Sequence, residues 1–338
     1  MRFPPLLEGW RRDRSRWWLL LAALALAACF LHPGLRWQRA LFEHVVVIDV
    51  TQSMNVTDQL LDGRPVSRLL AAKQALRLAL EQLPCGSRLG WAIFTEYRSY
   101  LLLTPVEVCA NRSELRSVLA GVDGRMAWSG NSEIAKGVHS GLLAVKQLPG
   151  TPSLIFVTDG QEAPPLNPRH RPSFDDKAGE VAGLIVGVGD LKPAPIPKTD
   201  PLGRPLGFWG ADEVAQVDPR SQGRGASVGG ENMAEDADVP RPVAGLGATP
   251  GSEHLSSLRE AYLQLLAAEN GFAYQRLRTP QALVDALQAP ALARPVSVRA
   301  DARPALAALA FVFLLLPFAG PLLEPMRRRS RRTSSVGR

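Results

Sequence analysis

The sequence predicts an α/β fold: a doubly wound, mostly parallel sheet with one antiparallel edge strand, flanked by N- and C-terminal transmembrane helices. Three observations predict it. From His44 onward, β-branched apolar runs alternate with segments of helical periodicity. Two strand-like runs are separated only by Thr95-Glu96-Tyr97-Arg98, which reads as a hairpin and supplies the antiparallel edge. Two long apolar runs free of charge, Trp17–Leu31 and Ala305–Leu323, bracket this pattern.

Taken in order, Val45-Val46-Val47-Ile48 suits a buried parallel strand. Arg68–Leu83 repeats Leu69, Ala72, Leu76, Leu80 and Leu83 at helical spacing until Pro84 stops it. Leu89–Phe94 and Ser99–Leu103 form the hairpin, and helices follow at Arg112–Ala120 and Ser132–Leu148. Ser153–Val157 and Gly183–Val188 are further buried strands. The Pro- and Gly-rich stretch 190–251 has neither periodicity and reads as a long loop insertion, of the kind that is functional or mobile. Regular structure resumes with a helix over Glu253–Asn270, a strand near Phe272–Leu277 and a helix over Pro280–Leu287. The expected plan is a basic tail at 1–16, an anchor or signal segment at 17–33, the α/β domain at 43–290, a linker at 291–304, a transmembrane helix at 305–323 and a second basic tail at 324–338.

The net charge of +7 does not point to nucleic acid, because it sits in the tails: residues 1–16 carry +3, residues 325–338 carry +6, and everything between carries −2. Arg11, Arg12, Arg14 and Arg16 precede the first apolar run, and Arg327, Arg328, Arg329, Arg331 and Arg332 follow the second. Positive flanks stay in the cytoplasm, so both tails are expected inside. Arg294, Arg299 and Arg303 argue the other way, with less weight. The expected location is the inner (cytoplasmic) membrane with the domain facing the periplasm. The first apolar run is shorter than the ~20 residues of a usual span. It reads as a retained anchor, as a lipoprotein box at Leu26-Ala27-Ala28-Cys29, or as a cleaved signal, and all three export the domain.

In doubly wound sheets, ligands gather beyond the carboxyl ends of the strands where the winding reverses. Asp49-Val50-Thr51-Gln52-Ser53-Met54 follows the first strand, and Thr158-Asp159-Gly160 follows a later one. Carboxylates at Asp49 and Asp159 with hydroxyls at Thr51 and Ser53 are the oxygen set that a hard cation such as Mg²⁺ requires. Alternate spacing turns Asp49, Thr51 and Ser53 towards one point. Alone, each piece is weak and more often a helix cap or a turn former than a metal site, and Asp62-Gly63 nearby reads as a turn.

Cys85 precedes the first hairpin strand and Cys109 follows the second, symmetric about the turn at residue 97. In an exported domain this symmetry suits a disulfide, against two unrelated free thiols.

The D-x-[ST]-x-S-M pattern, followed more than a hundred residues later by an apolar strand and T-D-G, resembles the metal-ion-dependent adhesion site of von Willebrand factor A (vWA) domains. Gly130-Asn131-Ser132-Glu133-Ile134 aligns with that family's middle element and puts Ser132 where a metal-binding Thr usually stands. The resemblance implies one divalent cation, Mg²⁺ or Ca²⁺, held by Asp49, Thr51, Ser53, Ser132 and Asp159. It further implies that Asp159 reaches the ion through water and that one position is left for a carboxylate on the acidic surface of a protein partner. Regulated binding, not catalysis, follows.

The anchor–domain–anchor plan, with Ser53-Met54, Arg68, Ala72, Lys73 and Ala75, resembles bacterial vWA proteins associated with MoxR-type ATPases, including the Bat proteins. Leu83-Pro84-Cys85-Gly86-Ser87-Arg88, residues 105–111, residues 158–165 and Gly207-Phe208-Trp209-Gly210-Ala211-Asp212 resemble the MxaL-type proteins of methanol-oxidation gene clusters. That likeness implies a role in maturation or Ca²⁺ loading of periplasmic methanol dehydrogenase, with the apo-enzyme or other Mxa-type maturation proteins as partner. The alternatives are a Bat-type membrane scaffold working with a MoxR-family ATPase in stress tolerance and a cell-surface adhesion module.

No enzyme is expected. His32, His44, His139, His170 and His254 share no metal-ligand spacing, and His139 on a helix reads as packed or surface. Gly187-Val188-Gly189 lacks the third Gly of a dinucleotide fingerprint. Basic residues interleaved with aromatics, as base stacking needs, are absent. Phe208-Trp209 in the insertion is either an exposed partner contact or simple packing.

Overall fold

In the computed structural model, residues 14–31, 34–167, 171–217, 231–234 and 251–316 are described. The main sheet contains β1 (Gly34–Asp49), β2 (Arg88–Thr95), β3 (Arg98–Glu107), β4 (Ser153–Thr158), β5 (Gly183–Gly187), β6 (Ala273–Arg276) and β7 (Ala293–Asp301). Its order is β6-β5-β4-β1-β2-β3, with β7 paired to β1. All neighbours from β6 to β2 are parallel, and β2–β3 is antiparallel. The chain winds outward from β1 to β3 on one side and then from β4 to β6 on the other, so the winding reverses between β1 and β4. Asp49 and Asp159 leave the sheet at this crevice, as the rule for such sheets requires.

The sheet is buried on both faces, which is why its strands read as continuous apolar runs. Within β1, Val46 and Ile48 face one core with α2 (Arg68–Gln82), α3 (Arg112–Gly121) and α6 (Pro280–Leu287), built on Leu76, Leu80, Trp91, Leu115 and Leu283. Val45 and Val47 face the other, with α4 (Ile134–Lys146) and α5 (Glu260–Asn270), built on Phe94, Val138, Phe156, Tyr262 and Leu263. α4 lies close to the sheet because Gly137 has no Cβ; one added there would collide with the Phe94 ring.

Local signals set the element ends. Ser67 caps α2 by accepting from the Leu70 amide at 3.2 Å, Thr279 caps α6 with Pro280 in its first turn, and Gly271 in the left-handed region (φ 69°) ends α5. Asp62 (φ 50°) and Gly63 (φ 76°) form the tight turn between the paired segments Gln59–Leu61 and Arg64–Val66, the backbone a two-residue hairpin demands. The β2–β3 hairpin turns at Glu96-Tyr97, with Thr95 opposite Arg98. Cys85 and Cys109 at its base are joined in a disulfide, with Cα atoms 5.3 Å apart.

Two expectations are corrected, and a third is left without support. The helix expected over Glu253–Asn270 begins only at Glu260, because Leu255–Ser256 pairs with Ala194–Pro195 and the Leu258 and Arg259 amides donate to the carbonyls of Asp190 and Asp159. Those backbone groups tie the insertion to the sheet end, which an intrahelical ladder would prevent. The expected linker 291–304 contains β7. The transmembrane helices are not supported: no helix among the described residues is long and apolar enough to cross a membrane. α1 (Arg14–Cys29) has 16 residues, a rise of about 24 Å against a hydrocarbon core of about 30 Å.

The chain forms two compact units, residues 40–294 and a second unit built from the segments before and after. In the second, Trp18 of α1 stacks on Phe313 of the helix over 303–316 at 5.7 Å, and Cys29 Sγ lies 3.8 Å from the Arg303 carbonyl. The tails 1–13 and 317–338, with their arginines and the end of the second apolar run, lie outside the described residues, as does His170.

Candidate metal centre

β1 delivers Asp49 to the sheet end fully buried, and the chain turns at once into a short 3-10 turn, Gln52–Asn55. Asp49 Oδ1 accepts from the Thr51 amide at 2.9 Å and from Thr51 Oγ1 at 2.7 Å, which folds the loop back over the carboxylate. Ser53 Oγ lies 3.4 Å from Thr51 Oγ1. Asp49 Oδ2 accepts from Thr158 Oγ1 at 2.6 Å across the β1–β4 crevice. Burial, followed by the Asp159 carboxylate, pushes Asp49 up to about 7, against the opposing hydrogen bonds from Thr158 and Thr51.

Asp159, also fully buried, follows β4 directly. Its Oδ1 accepts from the Gln161 amide at 3.0 Å, while Oδ2 receives Arg68 Nη1 at 2.5 Å and Ser256 Oγ at 3.1 Å. Ser132 is fixed through its backbone: its amide donates to Ala163 O at 2.6 Å, its carbonyl accepts from the Ala163 amide at 2.8 Å, and the next amide, of Glu133, reaches Glu96 O at 2.6 Å. The residue is 3% exposed, and its Oγ has no hydrogen-bond partner. Thr51, Ser53 and Ser132 line one cavity of about 220 Å³. Of the five residues named from sequence, Thr51, Ser53 and Ser132 line one cavity, whereas Asp49 and Asp159 are fully buried at the ends of β1 and β4 and do not line it.

Sequence reasoning missed the hub of the site. Arg68, with a fully buried side chain, binds Asp159, donates to Asp58 Oδ2 through Nε at 3.0 Å and Nη2 at 2.6 Å, and reaches Ser256 Oγ at 2.6 Å. Burial opposes its charge, but the Asp159 and Asp58 carboxylates overcome this and hold the guanidinium above its ordinary value. Asp58 in turn is held below the usual carboxylate range; burial raises it, and bonds from Arg68 and the Asp190 amide outweigh that. A signal was present. An Arg in the first turn of a helix opposes the helix dipole and asks for an acidic partner. Nothing marked Ser256, which lies in the stretch misread as helix.

The two open residues are placed as follows. His139 is packed, bonded through Nδ1 to Asp176 at 2.5 Å and stacked on Phe174 at 4.1 Å. Phe208 is 60% exposed, whereas Trp209 lines the cavity beneath Lys198, whose Nζ is 4.5 Å from its ring centre.

Residues 44–161 match the family model described as von Willebrand factor type A domain. Among solved structures, it is similar to an aerotolerance-related membrane protein from Bacteroides fragilis (16% identity, 73% of this chain and 96% of that one, TM-score 0.45). It is also similar to BatB from Bacteroides thetaiotaomicron (15% identity, 73% and 95%, TM-score 0.44) and to a von Willebrand factor type A protein from Catenulispora acidiphila (11% identity, 80% and 43%, TM-score 0.37). No curated protein matches the chain in sequence.

Proposed function

We propose that the vWA domain is a non-enzymatic, metal-dependent protein-binding module, exported and held at the inner membrane by its flanking segments. Asp49, Thr51, Ser53 and Ser132 would hold one Mg²⁺ or Ca²⁺, with Asp159 behind them. The observation that carries this is the buried Ser132 hydroxyl, which lacks a partner in the same cavity as the hydroxyls of Thr51 and Ser53. Buried polar atoms are ordinarily satisfied, so an orphan hydroxyl on a residue that shares a cavity with Thr51 and Ser53 fits a missing ligand. Electrostatics agree: burial and the neighbouring Asp159 disfavour the ionised form of Asp49, while Arg68 is shared between Asp159 and Asp58, and a divalent cation at the sheet end would offset that penalty. When bound, such an ion supplies a coordination position for a partner's carboxylate. The protein's own part is to hold the ligands in place and leave the cavity open to that group.

The test is a pull-down of the tagged full chain from solubilised membranes. Partners retained in Mg²⁺ or Ca²⁺ and lost in EDTA support the reading; the same proteins held in both conditions oppose it. The finer role, favoured by the loop sequences at 83–88, 105–111, 158–165 and 207–212, is maturation of periplasmic methanol dehydrogenase. A deletion strain would then hold inactive dehydrogenase that added Ca²⁺ rescues. Normal growth on methanol together with impaired stress tolerance would instead favour the Bat-type scaffold.

A further inference from the structure

The two sulfurs at the base of the β2–β3 hairpin sit in different surroundings. Cys85 is exposed, whereas Cys109 is half-buried just ahead of the N-terminus of α3. Arg112, the first residue of that helix, donates through Nη2 to Cys109 Sγ at 3.5 Å, and its Nε is buried with no hydrogen-bond partner. A guanidinium is a strong donor to anions, and a disulfide sulfur is a weak neutral acceptor. The charge finds its match when Cys109 becomes a thiolate, which the positive end of α3 also favours. More than the S–S bond holds the two segments together. Glu107 accepts from the Gly86 amide at 2.6 Å through Oε1 and from the Ala110 amide at 2.5 Å through Oε2. Each amide belongs to the residue after one cysteine, so the carboxylate keeps the thiols adjacent once the bond opens. Cys85, Glu107 and Cys109 have ligand atoms within 4.8 Å of one another, a set that suits a soft cation after reduction. Both carboxylate oxygens are already committed, however, and Arg112 adds positive charge beside the sulfur, so the surroundings favour thiolate chemistry over a cation.

We infer that Cys85–Cys109 is a thiol–disulfide exchange site, in which a substrate thiolate attacks the exposed Cys85 and Cys109 leaves as a thiolate held by Arg112. The new bond joins the substrate sulfur to Cys85 Sγ, the Cys85–Cys109 bond breaks, and its electron pair stays on Cys109. A second substrate thiol, having lost its proton to solvent, attacks the substrate sulfur of the mixed disulfide and releases Cys85 as a thiolate, which water protonates. Two substrate thiols thus become one disulfide, and their two electrons reduce the cysteine pair. The substrate is a thiol, free or carried on a partner chain. This inference is independent of the metal centre.

The test uses the purified, oxidised full chain in detergent, with glutathione as the free thiol and a Gly-Cys-Gly peptide blocked at both ends as the chain-borne one. Acid quenching, alkylation and peptide mapping then locate the added sulfur. The expected product carries the probe on Cys85 and a free thiol on Cys109, with the reverse product about fivefold rarer or less. Arg112→Gln should slow the reaction about fivefold, and Arg112→Lys, which keeps a charge, should recover most of the rate. In the reduced protein, Arg112→Gln should slow alkylation of Cys109 at neutral pH, and the gap should close above about pH 10, where any thiol is ionised. Mapping each variant beforehand shows whether the bond has formed; if a variant fails to fold, the position of the probe in the wild type decides the point alone. Faster reaction of the peptide at equal thiolate concentration assigns the substrate to a partner chain, and faster reaction of glutathione assigns a free thiol. A probe spread equally over both sulfurs, an Arg112→Gln that reacts like the wild type, or a bond that resists both probes until urea unfolds the domain overturns the inference and leaves a purely structural link. Stoichiometric Zn²⁺ bound by the reduced pair also overturns it, assigning the cluster to a metal.

Discussion

Arg68 Nη1 lies 2.5 Å from Asp159 Oδ2 with both side chains fully buried, joining the first residue of one helix to the end of a strand 91 positions later. The pair neutralises one of the two carboxylates at the sheet end and leaves Asp49 with only hydroxyl and amide donors. The same guanidinium holds Asp58 and Ser256, so the first loop, the sheet end and the insertion meet on one side chain.

Removing that guanidinium strands a buried charge. Arg68→Gln is expected to destabilise the domain by about 3–5 kcal/mol. Arg68→Gln combined with Asp159→Asn is expected to lose less than the sum of the two single changes. Urea denaturation of the four proteins measures this, and additive losses would show that the pair is not coupled.

The Cys85–Cys109 bond closes a loop of sequence separation 24, for which chain entropy gives about 3 kcal/mol of stability. Replacing both cysteines with Ser should lower the melting temperature by several degrees, and reductant should then have no further effect on the variant. Non-reduced peptide mapping should recover the two cysteines as one linked species.

His44 sits in the core with Nε2 bonded to Leu287 O at 3.0 Å, and burial lowers it to about 4 from 6.5. Between those values the unfolded chain binds the proton and the folded one does not. Stability contributed by neutral His44 is therefore full above about 6.5 and declines as the pH falls towards 4, by about 3 kcal/mol in all. Denaturation at pH 7, 5.5 and 4.5 should show this slope, and His44→Gln should flatten it.

Much of this architecture was legible, for a physical reason. A parallel strand buried on both faces must be apolar throughout, so Val45–Ile48 and Ser153–Val157 announced themselves, and the residues just beyond them, Asp49, Thr51, Ser53 and Asp159, followed. The Cys pair was legible because antiparallel register is symmetric about its turn. Ser256 and Trp209 were not. Their positions depend on short bridges between distant segments, Ala194–Pro195 with Leu255–Ser256, which carry no periodicity. Leu255, Leu258 and Tyr262 share helical spacing, so the local pattern favoured a helix that tertiary hydrogen bonds override. Arg68 was visible as a residue but not as a hub, since two of its partners, Asp159 and Ser256, come from segments 91 and 188 positions away.

Melting of the full chain with and without Mg²⁺, in wild type and in Asp49→Asn, tests the metal centre most directly, because the amide keeps the shape of Asp49 and removes its charge. Saturating Mg²⁺ should raise the wild-type midpoint by about 5–10 °C and leave the variant unmoved. An unchanged wild type, or an equal rise in Asp49→Asn, would contradict the account.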